Sequence, residues 1–139
     1  MRIMGLDVGD KTIGVALSDP TGLLAQGLKT IWRQSNKKDF LEISQLVETY
    51  QVEKIVVGLP KNMNNSMGPQ GEKALHFGEK LKRKLDIDVV FEDERLTTIS
   101  AERALIQAGI RRENRKSVVD KIAASFILQS YLDRVKKEG

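Results

Sequence analysis

No cysteine occurs in the 139 residues, and histidine occurs once. Disulfide staples, thiol nucleophiles and thiolate zinc sites are thereby excluded, and any metal must be held by oxygen with at most one imidazole. Aromatic residues make up only 5% of the chain, too few for base stacking to be the main way of holding nucleic acid. Long apolar runs are missing as well. No stretch approaches the ~20 residues of a membrane helix, and the start Met1-Arg2-Ile3 lacks the apolar segment and cleavage site of a secretory signal. The expectation is a protein that stays in the cytoplasm and contacts no membrane. No internal repeat, low-complexity tract or interdomain linker interrupts the chain, and its length suits one packed domain rather than two lobes closing on a cleft. Acid is the scarcer charge: 19 Asp and Glu stand against 23 Lys and Arg, a formal net charge of +4, which favours a polyanionic partner only weakly.

What the chain does contain is a clear change of hydrophobic period. Arg2 to Asp7 is an apolar run that meets a Gly9-Asp10 turn, and Thr12 to Asp19 continues with Ile13, Val15 and Leu17 alternating, which predicts a β-hairpin. The Asp19-Pro20-Thr21-Gly22 turn signal and a third strand over Leu24 to Ile31 complete an antiparallel meander. From Asp39 to Tyr50, the residues Phe40, Ile43, Leu46, Val47 and Tyr50 recur at helical spacing. Ile55-Val56-Val57, within Lys54 to Gly58, is short and β-branched, as in a strand buried on both faces. Lys61 to Gly68 lacks periodicity and predicts a mobile loop, after which Pro69 opens a helix reaching Leu85. Asp88 to Glu92 predicts another buried strand, Thr98 to Ala108 a helix, Gly109 to Lys116 a basic linker, and Ser117 to Lys136 a last helix. Strand-helix-strand crossovers demand right-handed parallel pairing. The fold class is therefore α/β, with a mixed five-stranded sheet and helices on both faces.

In open α/β sheets, sites gather beyond the carboxyl ends of parallel strands where the strand order reverses. Acids are expected there. Asp7 closes the first strand, Asp93 and Glu94 close the last, and Gly58 closes a strand between or beside them. Asp120 falls in the first turn of the last helix, where Ala123, Ala124, Ile127 and Tyr131 make an otherwise apolar stripe whose small members allow close approach to the sheet. Carboxylates crowded together repel one another, and a hard divalent cation removes the conflict. Magnesium or manganese suits an all-oxygen donor set, and two ions about 3.5 to 4 Å apart would stabilise both the attacking and the leaving oxygen of a phosphodiester displacement. This is nuclease chemistry, with Asp7, Asp93, Glu94 and Asp120 as candidate catalytic acids. Phosphate contacts are assigned to Lys11, Lys61, Arg95, Arg111, Arg112, Arg115 and Lys116, the last four directly preceding the Asp120 helix.

Four blocks stand in order along the chain: Asp7-Val8-Gly9-Asp10-Lys11-Thr12-Ile13-Gly14-Val15-Ala16, Val57-Gly58-Leu59-Pro60-Lys61-Asn62-Met63, Asp93-Glu94-Arg95-Leu96-Thr97-Thr98, and Asp120 with Ala123-Ala124. Together they resemble the YqgF family, also called RuvX, and the likeness spans nearly the whole chain. The resemblance implies a ribonuclease H-like fold, with Asp7, Glu94 and Asp120 as catalytic acids and metal ligands. It also implies one of two activities: trimming the 5′ end of the 16S ribosomal RNA precursor, towards which the reading leans, or cutting Holliday junctions. Asp93 stays a supporting acid or an alternative ligand, because adjacent strand residues point to opposite faces. The expected partner is structured RNA, including a ribosome precursor, or branched DNA. The protein could act as a monomer or a homodimer.

Blander roles compete for each residue. Asp7 could make an Asx-turn, Arg95 could pair with a neighbouring acid, and Ser117-x-x-Asp120 fits a capping box. Lys11 reads as an exposed turn lysine and His76 as a surface residue without a role, while Lys80, Lys82, Arg83 and Lys84 read as a solvated helix face. Two other functions stay open. Asp-x-Gly followed by Lys-Thr is similar to the phosphate-binding hairpin of the actin, chaperone and sugar-kinase group, although those proteins close two such domains on a nucleotide. A non-catalytic nucleic-acid-binding module is the other, and magnesium-dependent cleavage would exclude it.

Overall fold

The computed structural model describes residues 2–62, 64–93 and 112–138, with the side chains of the last segment described over 120–136. Five strands, β1 (Arg2–Val8), β2 (Thr12–Ser18), β3 (Ala25–Trp32), β4 (Val52–Leu59) and β5 (Asp88–Asp93), form one sheet in the order β3-β2-β1-β4-β5. The first three make the expected antiparallel meander, whereas β4 pairs parallel with β1, and β5 parallel with β4. The helices are α1 (Asn36–Tyr50), α2 (Pro69–Leu85) and α3 (Arg112–Glu138).

Local chemistry sets the boundaries. The amide of Gly9 donates to the carbonyl of Thr12 at 2.9 Å and closes the first hairpin. At the second, the Asp19 carboxylate accepts from the amides of Leu24 and Leu23, both at 2.9 Å, and from the Thr21 hydroxyl. The Leu24 and Thr21 hydrogen bonds pull its pKa down to about 2. The Ser35 side chain accepts from the Lys38 amide at 3.2 Å, so α1 starts at Asn36, three residues earlier than the apolar spacing predicts. Gln51 then ends it in the left-handed region at φ 53°. Between β4 and α2, the amide of Asn62 donates to the carbonyl of Ser66 at 2.8 Å, and the Ser66 hydroxyl to Asn64 at 2.6 Å.

The pleat sorts side chains to two faces. Met4, Leu6, Val8, Ile13, Val15, Ile55 and Val57 meet Phe40, Ile43, Ala74, Phe77 and Leu81 of α1 and α2 in the larger core. On the opposite face, Ala16 and Val56 meet Ala124, Ile127, Leu128, Tyr131 and Leu132 of α3. Helix α3 sits very close to the sheet, because Gly5 and Gly14 leave room for it. A Cβ on Gly14 would lie 1.9 Å from the carbonyl oxygen of Asp120, and one on Gly5 would lie 2.8 Å from Cβ of Leu128.

One expectation is corrected here. The basic stretch Gly109 to Lys116 is not a linker throughout, since α3 already runs from Arg112. Arg, Glu and Lys are good helix formers, and no glycine or proline interrupts residues 112–120. Asp120 therefore lies more than two turns inside the helix, and Ser117 is an interior residue that cannot cap it. The helix expected over Thr98 to Ala108 lies outside the described residues.

Candidate active site

The strand order reverses beside β1: the chain runs outward through β2 and β3, then returns to lay β4 on the other side of β1. Asp7 stands at the carboxyl end of β1, on the α3 face that it shares with Gly5. Its cross-strand partner is Gly14, and the backbone of Asp120 rests on Gly14. The Thr12 hydroxyl, two residues along the same face of β2, donates to the Asp120 carboxylate. One end of β1 and β2 thus carries Asp7 and seats the backbone of Asp120 on the same face, with a hydroxyl holding the Asp120 carboxylate.

Asp93 is placed differently. It alternates with Val89 and Phe91, and Phe91 packs towards Gly78 of α2, so Asp93 leaves the sheet on the face opposite Asp7. The acid of β5 that faces α3 is Glu92, only 7% exposed. It accepts from the Ser130 hydroxyl at 2.9 Å and from Arg134 at 2.6 Å, and so fastens the last strand to the last helix. An acid at the end of an apolar strand, with Ser and Arg four apart on the covering helix, was the available signal for it.

Glu94, Arg95 and Arg111 lie outside the described residues. Arg112, Arg115 and Lys116 belong to the opening turns of α3, the stretch leading to Asp120. Lys11 is exposed at the hairpin turn, and Lys61 is half-buried just past β4. Asp10 faces α2, where Gln70 donates to it at 2.9 Å and Lys73 at 3.1 Å; these two contacts lower its pKa.

Arg33, which no sequence pattern singled out, braces this edge. Its guanidinium donates to the carbonyl of Gly9 at 2.9 Å, to the Asp39 carboxylate at 3.0 Å and to Asn36 at 2.8 Å, and lies over the Phe77 ring. Asp39 is 2% exposed, so its charge depends on this partner. Arg33→Met is expected to lower stability by about 2 kcal/mol, below the range for fully buried pairs because Arg33 is partly solvated. Urea unfolding checks this, and the loss should shrink in an Asp39→Asn background, where no buried charge is stranded.

Asp7, Asp120 and Thr12 offer hard oxygen donors of the kind that magnesium and manganese prefer. Among the described residues no group of three or more potential metal ligands forms; Asp7 and Asp120 supply two acids, and the third expected ligand, Glu94, is not among those residues.

A mixed five-stranded sheet in the order β3-β2-β1-β4-β5 with helices on both faces is a ribonuclease H-like fold. T. thermophilus RuvC in complex with a Holliday junction substrate matches with a TM-score of 0.59 at 15% identity, covering 97% of this chain and 96% of that one. The fowlpox virus resolvase in complex with its Holliday junction DNA gives 0.58 at 16%, covering 97% and 99%. At these identities the likeness is one of fold. The chain belongs to the RuvX family, described as Holliday junction resolvase, which matches residues 1–134. It is 59% identical over 139 residues to a relative from Thermoanaerobacter pseudethanolicus, covering 99% of this chain and 100% of the relative. A second relative, from Caldanaerobacter subterraneus subsp. tengcongensis, is 61% identical over 137 residues, covering 98% and 99%. Both are named as candidate pre-16S rRNA nucleases. The family is one of nucleases, hydrolases acting on phosphodiester bonds. Among the described residues, no helix is long and apolar enough to cross a membrane.

Proposed function

We propose that this protein is a metal-dependent endonuclease of structured nucleic acid that processes the 5′ end of precursor 16S ribosomal RNA in the cytoplasm. The observation that carries the reading is the meeting of Asp7 and Asp120 over Gly14, at the carboxyl end of the central strand. Asp7, Asp120 and Glu94 would hold magnesium or manganese, two ions in the full site. When bound, the metal makes water acidic enough to attack and neutralises charge on the phosphoryl oxygens. The chain's own contribution is placement. Strand β1 fixes Asp7, Thr12 holds one Asp120 oxygen, and the helix carrying Asp120 cannot slide away from Gly14 without losing the Thr12 hydrogen bond. Arg112, Arg115 and Lys116, together with Arg95, Arg111, Lys11 and Lys61, would hold phosphates beside the bond being cut. Asp93 would support the edge of β5 from the other face.

The ribosomal reading rests on the names of relatives about 60% identical over nearly the whole chain. Cleavage of Holliday junctions is the second reading, supported by the description of the family. One experiment addresses both: metal-free protein is offered precursor 16S RNA and four-way DNA junctions side by side, with magnesium, manganese or zinc restored. RNA cleavage at the 5′ end with magnesium or manganese, little with zinc and none in excess chelator is expected. Preferential cutting of junctions would establish the second reading instead, and full activity in excess chelator would remove the metal mechanism.

A further inference from the structure

The far face of the sheet carries a feature that the catalytic edge does not use. Helices α1 and α2 cross so that Asn36, Lys37, Phe40, Lys80, Arg83 and Lys84 line a groove of about 510 Å³. Its floor is Phe40, buried against Phe77 with ring centroids 4.9 Å apart, and its walls are four cations with exposed side chains. Among the described residues none of these four takes part in an ion pair, whereas Lys29, Arg33, Lys54, Lys73 and Arg134 all do. The nearby acids of α1 are committed elsewhere, Asp39 to Arg33 and Glu42 to Lys29. The carboxyl end of α2 accounts for part of the basic charge, because a helix C-terminus carries about half a negative charge. Half a charge does not balance four, and Lys37 stands at the positive end of α1, where a cation is disfavoured. Like charges crowded in this way repel unless an anion joins them.

The groove is also joined to the catalytic edge. Arg33 donates to Asn36, on the groove's rim, and to the carbonyl of Gly9, two residues beyond Asp7. Arg33, itself paired with Asp39, therefore ties the rim of the groove to the hairpin turn that carries Lys11 beside Asp7.

We propose that the α1–α2 groove is a second phosphate-backbone site, which holds a segment of nucleic acid other than the one lying at Asp7 and Asp120. The inference rests on the nuclease reading and deepens it: the substrate has to present two segments at once, one on each face, so folded or branched nucleic acid is selected over a short single strand. Recognition is by phosphate charge, since a lone buried phenylalanine offers no stacking platform.

The test uses the full chain, without metal so that nothing is cut, and compares wild type with Lys80→Gln/Arg83→Gln/Lys84→Gln. Binding of a branched RNA and of a short single-stranded oligonucleotide is followed by fluorescence anisotropy over a range of salt, and circular dichroism establishes that the variant is folded. The preference for the branched ligand should fall by roughly a few hundredfold near ~0.1 M salt, and the slope of log K against log salt for that ligand should flatten by about 2.7, roughly 0.9 for each of three phosphate contacts. Lys37→Gln alone should give a smaller change in the same direction. Equal weakening on both ligands, or an unchanged slope, would overturn the proposal. So would vesicles of anionic phospholipid that bind wild type and not the variant while branched RNA binds both alike. A wild-type protein that never cuts either substrate sinks the nuclease reading but leaves the binding difference intact; a cutting enzyme whose variant binds like wild type sinks the groove alone.

Discussion

Asp120→Asn is expected to slow single-turnover cleavage by about a thousandfold, a rise of about 4 kcal/mol in the barrier, while the protein stays folded and still binds nucleic acid. Asparagine keeps the shape and can still accept the Thr12 hydroxyl, so the geometry at Gly14 survives and only the charge is lost. Because the residue lies well inside α3, no helix cap is removed, and the capping explanation of this acid predicts nothing for the variant. If two metal-ligand carboxylates share this edge, thermal stability in chelator should stay level or rise when one charge goes. Nucleic-acid binding should hold, since a negative charge beside a phosphate path has been removed. Thermal unfolding in chelator paired with single-turnover cleavage decides the matter. Near-normal cleavage would take Asp120 out of the site.

Gly14→Ala should be the most damaging single methyl in the sheet. Its Cβ would stand 1.9 Å from the carbonyl oxygen and 2.5 Å from the carbonyl carbon of Asp120, which are backbone atoms that no rotamer change can move aside. The helix must lift, at a cost of about 3 kcal/mol, near the top of the usual overpacking range. A displacement of about 1 Å at Asp120 would also cost about a hundredfold in rate among the molecules that remain folded. The neighbouring glycines calibrate the claim. Gly5→Ala meets Cβ of Leu128 at 2.8 Å and the Ala124 carbonyl at 3.0 Å, and should cost about half as much. Gly27→Ala meets Cβ of Lys121 at 3.2 Å and the Lys121 carbonyl oxygen at 3.3 Å, looser contacts on an exposed stretch of β3, and should cost least of the three. Urea unfolding of the three variants should reproduce this order, and a neutral Gly14→Ala would mean that α3 does not rest on β2.

The strands were legible because burial on both faces leaves β-branched runs such as Ile55-Val56-Val57, and Asp7 was legible because a charge ending such a run marks the strand's edge. The placement of Asp120 against the sheet was legible through the small residues beside it, Ala123 and Ala124, which let the helix lie close. What failed was the reading of charge as punctuation: Arg112 to Lys116 looked like a linker because it is basic, yet basic residues propagate helices well. Arg33 and the α1–α2 groove were beyond reach for a different reason. Each depends on which residues two distant elements place opposite one another, and the crossing of α1 with α2 is written in no local pattern. Only the register of β5 on β4 decides which face of the sheet Asp93 takes.

The interval between the two acids carries its own consequence. Thr12, one hairpin turn from Asp7, and the Asp120 it orients are 108 residues apart, and α3, which carries Asp120, is made after all five strands. During synthesis the meander and β4 can pair long before that helix exists, since domains grow from the N-terminus and non-local contacts form late. On the proposed reading, a nascent chain passes through a stage that holds its sheet and Asp7 but lacks Asp120 and would not yet cut. Because α3 also covers Ala16 and Val56, an undocked helix leaves apolar surface bare, so the inactive chain is the one most exposed to quality control. The same step that completes the core would complete the proposed site.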